Sequence, residues 1–169
     1  MKVKDIIGLP VIEIEHGKKM GTVKDVFFNN EWVLQGILLD TRHWFSSPRI
    51  VPWDELVSVG PDAVMIPSSD HVYILQGDAS QMRLAADGGK LIGLPVMTAN
   101  GRNLGNIDDV YLEENMGKHI KGFELTDGLL TDLQEGKKMI PCYENMTFGE
   151  DAIIVPVHAE QDIEGTVNE

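Results

Sequence analysis

Five histidines, a single cysteine and several adjacent carboxylates are the groups on this 169-residue chain able to hold a metal, move a proton or attack a carbonyl. His16, His43, His71, His119 and His158 are too scattered to make a paired-ligand motif. Cys142 stands alone, which excludes an internal disulfide and a cysteine-rich zinc centre. No histidine or basic residue adjoins it, so it reads as a partly buried structural thiol. Asp108-Asp109 and Glu113-Glu114 lie on or beside one strand, where alternation sends neighbours to opposite faces, and solvated surface charge accounts for them. Asp62 and Asp151 each follow a turn glycine by two residues, a place from which a side chain bonds the turn backbone without catalysis. Gly17-Lys18-Lys19-Met20-Gly21 has neither the length nor the Lys-Ser/Thr ending of a phosphate loop and reads as a hairpin turn. No Ser-His-Asp or Cys-His constellation stands out, and the reading is of a protein that is not an enzyme, with no cofactor and no metal.

The elements that must position these groups occur twice. Ile7-Gly8-Leu9-Pro10-Val11 returns as Ile92-Gly93-Leu94-Pro95-Val96, and Gly17 to Gly21 as Gly101-Arg102-Asn103-Leu104-Gly105. Thr22 to Phe27 pairs with Asn106 to Tyr111, Gly36-Ile37-Leu38-Leu39 with Gly122-Phe123-Glu124-Leu125, Val51-Pro52 with Ile140-Pro141, and Gly60 to Pro67 with Gly149 to Pro156. Ordered repetition of this kind means one folding unit duplicated, with Cys142 standing where the first copy has Trp53. Within each copy, β-prone runs are separated by Gly, Pro, Asn and Asp, the pattern of a small barrel or sandwich. Strands are expected at Pro10–Glu15, Gly21–Asn29, Val33–Asp40, Arg49–Pro52, Leu56–Val59 and Ala63–Pro67, with the same order in the second copy. The second strand does not alternate cleanly at Val23, Val26, Phe27 and Phe28, so it carries a bulge or is covered on both faces. Lys4–Gly8 suggests one helical turn with Asp5 as a weak cap. Gly8, Gly21, Gly93 and Gly105 are the places where strands bend or backbones approach closely. The domains read as a first repeat over 1–69, a linker over 70–87, a second repeat over 88–158 and an acidic, mobile tail over 159–169. The linker is expected to hold a strand near Val72–Leu75 and a short helix capped by Asp78 or Ser80.

Charge narrows the partners. The net charge is −13, carried mainly by the second half and the tail, and such a field repels phosphate backbones. Direct nucleic-acid binding is therefore not expected. The first copy is nearly neutral, and Lys18, Lys19, Lys24, Arg42 and Arg49 make it the better candidate face for an acidic partner, although a solvated turn explains the lysines equally well. Nothing near 18 uninterrupted apolar residues occurs, so no membrane span is expected, and without a secretory signal the address is cytoplasmic.

The repeated series, an Ile-Gly-Leu-Pro-Val opening, a Gly-x-x-x-Gly turn, a Val-x-x-Val or Ile-x-x-Val strand, and a closing Pro followed by Gly-x-Asp-Ala, resembles the PRC-barrel domain. That domain occurs in the H subunit of photosynthetic reaction centres and at the C-terminal end of the ribosome-maturation factor RimM. The resemblance covers almost all of the chain apart from the linker and tail. It implies an all-β protein of two tandem small PRC-type β-barrels joined by a partly structured linker, serving as a protein-binding or assembly module.

The copies differ most between their third and fourth strands, where the first has Thr41-Arg42-His43-Trp44-Phe45-Ser46-Ser47-Pro48-Arg49. Trp44 and Phe45 in water would each forfeit about 1.5–3 kcal/mol of burial, so each is expected to be covered by the other barrel, the linker or a partner. The surface expected to bind an unidentified protein partner is Arg42, Trp44, Phe45 and Trp53, and a homo-oligomer is compatible with the sequence. The alternative is a small-ligand or metal site in the groove between barrels, where Asp25, Asp109 and the histidines would converge. A third reading, association with ribosomes or RNA through a protein, rests on the RimM analogy alone.

Overall fold

The computed structural model describes residues 1–41, 47–77, 82–86, 91–127, 132–133 and 136–165. A one-turn helix, α1 (Val3–Ile6), leads into β1 (Pro10–Glu13), β2 (Lys18–Phe28), β3 (Leu34–Asp40), β4 (Arg49–Pro52), β5 (Ser58–Val59) and β6 (Val64–Ile66). β7 (Tyr73–Ile74) and β8 (Arg83–Leu84) follow in the connecting segment. The second copy runs β9 (Pro95–Thr98), β10 (Asn103–Leu112), β11 (Ile120–Thr126), β12 (Lys138–Pro141), β13 (Thr147–Phe148), β14 (Ile153–Val155) and β15 (Glu164–Gly165). The strand orders are β5-β6-β1-β2-β3-β4-β7 and β13-β14-β9-β10-β11-β12-β15, the same path twice. In each barrel the first strand pairs antiparallel with the long second strand and parallel with the closing strand, β6 or β14.

The long strands are bent by bulges. Register slips between Val23 and Asp25 in β2 and between Ile107 and Asp109 in β10, which breaks the alternation and leaves Asp25 to Phe28 buried without interruption. Gly21 and Gly105 sit at the matching bends with φ of 150° and 120°. A Cβ at Gly21 would lie 2.8 Å from the Asp40 carbonyl oxygen and one at Gly105 would lie 3.0 Å from the Thr126 carbonyl oxygen, so with these positive φ values both positions favour glycine.

The apolar cores form one buried cluster that runs from Val3 and Ile6 through both barrels to Ala159. Trp32, held at φ 62°, is its hinge between copies: its ring stacks on Phe28 at 5.7 Å and meets Phe123 and Phe148 at 5.5 Å.

Four local expectations change. Arg83–Leu84 form a strand rather than part of a helix, because β1 covers β2 only as far as Thr22 and leaves Phe27–Phe28 an open edge that β8 fills; Asp78 and Ser80 lie outside the described residues. The tail is built into the second barrel as far as Gly165: Ala159 is fully buried in a 3-10 turn and β15 pairs with β12. Asp62 and Asp151 are exposed and accept no hydrogen bond among the described residues, for Gly60 and Gly149 close those turns through backbone bonds to Ala63 and Ala152. Asp5 sits inside the first helical turn and accepts the Lys2 backbone N–H at 3.2 Å.

Candidate functional site: the seam between the barrels and the first-barrel groove

Val33 and His119 each stand three residues before the glycine that the repeat places at 36 and 122, and these two equivalent residues form a β-bridge to one another. The barrels therefore meet about a local two-fold axis. Away from that axis each copy lends its leading segment to the other. β8, which precedes the second copy, pairs Leu84 with Phe27 of the first; Lys2, which precedes the first, bridges Tyr111 of the second, the equivalent of Phe27.

One bulged aspartate anchors each exchanged arm. Asp25 accepts the Ala86 N–H at 3.0 Å and the Val26 N–H at 2.8 Å; Asp109 accepts Lys4 N–H at 3.1 Å and Val110 N–H at 2.8 Å. Both are almost wholly buried. Burial raises the Asp109 carboxyl above its ordinary value, against the pull of those two backbone donors. The two aspartates thus lie under separate arms and do not converge with the histidines. His71 pairs with Glu55 at 2.9 Å, His119 with Glu113 at 3.3 Å, and His158 lies edge-on to Tyr143. His43 lies outside the described residues. Glu13, Glu15 and His16 are close enough to share an ion, but both Glu13 oxygens accept the His16 N–H and one also accepts that of Lys18, so this carboxylate holds its own turn.

The two ends of the seam have diverged. Opposite Asp25 the first copy has Leu38; opposite Asp109 the second has Glu124, 3% exposed. Glu124 accepts Lys2 Nζ and Tyr111 Oη at 2.8 Å and Lys137 Nζ at 3.3 Å, while Asp108 takes Lys4 and Lys137. Burial opposes the charge on Glu124, yet these bonds outweigh it and hold the carboxyl below its ordinary value. Sequence reading passed over this network; a lone Glu in the apolar run Gly122-Phe123-Glu124-Leu125, against Leu38 in its counterpart, was the signal for it.

Trp53 and Cys142 differ in the same way. Trp53 is 2% exposed and its indole N–H donates to the Met116 carbonyl across the seam at 3.2 Å, beside the Lys118–Asp54 ion pair. Expected at a partner surface, it instead faces inward, where a large apolar ring finds cover and its one polar atom a partner. Cys142 keeps a backbone bond to Lys121 but leaves a cleft of about 430 Å³, walled by Trp32, Ile120, Tyr143 and Met146, with Glu31 and Glu144 at its mouth. Burial pushes the Cys142 thiol up to about 11, which keeps it protonated and unreactive at neutral pH. Of the groups expected to converge between barrels, His119 alone lines this cleft among the described residues.

A second concavity, about 860 Å³, opens on the first barrel between Lys18, Lys19, Asp40, Thr41 and Arg49. Lys18, Lys19 and Arg49 have no ion pair among the described residues. The counterparts of Lys18 and Arg49 do: Arg102 pairs with Glu160 at 3.3 Å and Lys138 with Asp127, while Lys19 corresponds to the uncharged Asn103. Arg42, Trp44 and Phe45 begin one residue beyond Thr41 and lie outside the described residues.

Two bent barrels of one strand order, each long strand broken by a bulge and each closed by a parallel pair, define a duplicated small β-barrel protein. The PRC-barrel domain matches residues 1–72 and 87–162, and the chain belongs to that family as a tandem pair. No curated protein matches the chain. Among the described residues no helix is long and apolar enough to cross a membrane.

Proposed function

We propose that this chain is a non-enzymatic adaptor that binds an acidic protein surface through its first barrel. The observation that carries the reading is the asymmetry of charge between equivalent positions: Lys18 and Arg49, with Lys19 beside them, line an open groove that holds Asp40 as its one carboxylate and make no ion pair among the described residues, whereas their counterparts Arg102 and Lys138 are paired. In a chain of net charge −13, a local cluster of unpaired cations draws an acidic surface in and fixes its orientation. Arg42, Trp44 and Phe45, next to Thr41, add the aromatic and guanidinium groups that anchor interfaces. Trp53 drops out of this surface. The buried aspartates are occupied by backbone N–H groups, which supports an architectural role for them over proton transfer.

Tagged wild-type protein and a Lys18→Glu/Lys19→Glu/Arg49→Glu variant, both folded by circular dichroism, are to be compared for partners retained from native lysate. The expected result is an acidic protein held by the wild type at low salt and lost with the variant. Equal retention by both would rule the groove out.

A further inference from the structure

We infer that the cleft at the Cys142 end of the seam is a docking site for a tryptophan side chain of a partner protein, flanked in that partner by lysine or arginine. It rests on the protein-binding reading only in taking the indole to come from another chain; the first-barrel groove plays no part in it.

The repeat itself supplies the argument. At the other end of the seam the residue equivalent to Cys142 is Trp53, whose indole is buried against the facing loop of the second barrel and gives its N–H to a loop carbonyl. At the Cys142 end a thiol replaces the indole. The facing loop, residues 29–33, is also two residues shorter than its counterpart, residues 113–119. Both changes remove volume from one place, and the opening of about 430 Å³ lies in the range that accepts small ligands and anchoring side chains.

The walls suit a flat bicyclic ring and are already set. Trp32 is fixed by Phe28, Phe123 and Phe148, and Tyr143 by its hydroxyl bond to Asp162 and by the His158 ring. Met146 adds a soft, adaptable thioether. Charge at the mouth then selects what flanks the ring. Glu31 and Glu144 are exposed and have no ion pair among the described residues, while His119 is engaged by Glu113. Two free carboxylates around an aromatic slot favour a tryptophan with cationic neighbours and repel one with acidic neighbours. The first barrel then offers cations and the seam carboxylates, two faces of opposite chemistry on one chain.

The full chain is to be titrated with acetyl-Lys-Trp-Lys-amide, acetyl-Glu-Trp-Glu-amide and tryptamine, following the amide chemical shifts of Cys142, Tyr143 and Met146. The lysine peptide is expected to move all three and to bind at least about five-fold tighter than the glutamate peptide at low salt, the gap closing as salt screens the carboxylates. Cys142→Trp should fill the cleft, raise the thermal midpoint and weaken the lysine peptide about ten-fold or more. Glu31→Gln/Glu144→Gln alters exposed residues only, and should abolish the preference between peptides even if the tryptophan variant does not fold. No shift with any probe, equal affinity for both peptides, or binding of tryptamine alone would overturn the proposal. So would a folded Cys142→Trp protein that binds the lysine peptide like the wild type. A partner lost with the Lys18, Lys19 and Arg49 charges while neither peptide binds leaves the adaptor reading standing and ends this one.

Discussion

Glu124 and Leu38 hold one place in two copies, and the difference between them writes a pH response into the second barrel. Because the Glu124 carboxyl is held below its ordinary 4.5 in the folded chain, it contributes stability above that pH and the contribution is lost as pH falls through the folded value. Asp108, kept below 3.8 by Lys137 and Lys4 despite burial, acts in the same sense. Asp109 acts in the opposite one: burial raises it, so folding favours its protonated form and its contribution weakens as pH rises past 3.8. On the alkaline side Lys137, raised to about 12 by Asp108, supports the fold below its ordinary 10.5 and ceases to as pH rises through about 12. Glu124→Gln is expected to cost about 1–3 kcal/mol at neutral pH, with the difference from wild type shrinking as pH falls below 4.5 and through the lowered value that the carboxyl has in the folded chain. Urea unfolding of the two proteins at neutral pH and along an acid series checks this; an unchanging gap would mean that the charge on Glu124 contributes nothing.

At the scale of elements, the exchanged arms are the least self-sufficient parts of the chain, each being a short segment held by one buried carboxylate. Asp25→Ala leaves the Val26 and Ala86 N–H groups without their acceptor and should destabilise the protein by about 2–4 kcal/mol. Amide exchange should quicken first at Ala86 and leave Lys4 unaffected; Asp109→Ala should reverse that pattern. Uniform quickening at both arms would show that the aspartates do not anchor them singly. Much of this architecture could be read from the residues. Gly21 and Gly105 marked the bends, Pro10 and Pro95 the strand starts, and the unbroken Val26-Phe27-Phe28 the bulge, because backbone conformation and period are local properties. The arms were not legible. Arg83-Leu84-Ala85-Ala86 carries helical propensity, and only the open edge of β2, formed by residues over fifty positions earlier, makes it a strand. Trp53 deceived for a related reason: its composition suits an interface, and the interface it serves is internal.

At the scale of the whole molecule, one core cluster and two exchanged arms bind the copies into a single cooperative unit. A protease site placed between Gly77 and Met82 should yield fragments that co-elute in gel filtration, since the second fragment still supplies β8 to the first barrel. Thermal unfolding of the intact chain should show one transition whose calorimetric and van't Hoff enthalpies agree; two resolved transitions would contradict the single core.

The local two-fold axis through Val33 and His119 has a consequence for how such a protein changes over generations. Were the same interface built by two identical subunits, every substitution would appear at both ends, and exchanging the indole for a thiol would empty both together. Joined in one polypeptide, the ends mutate separately. Trp53 can therefore seal one end while Cys142 leaves the other open, each within its own intact barrel.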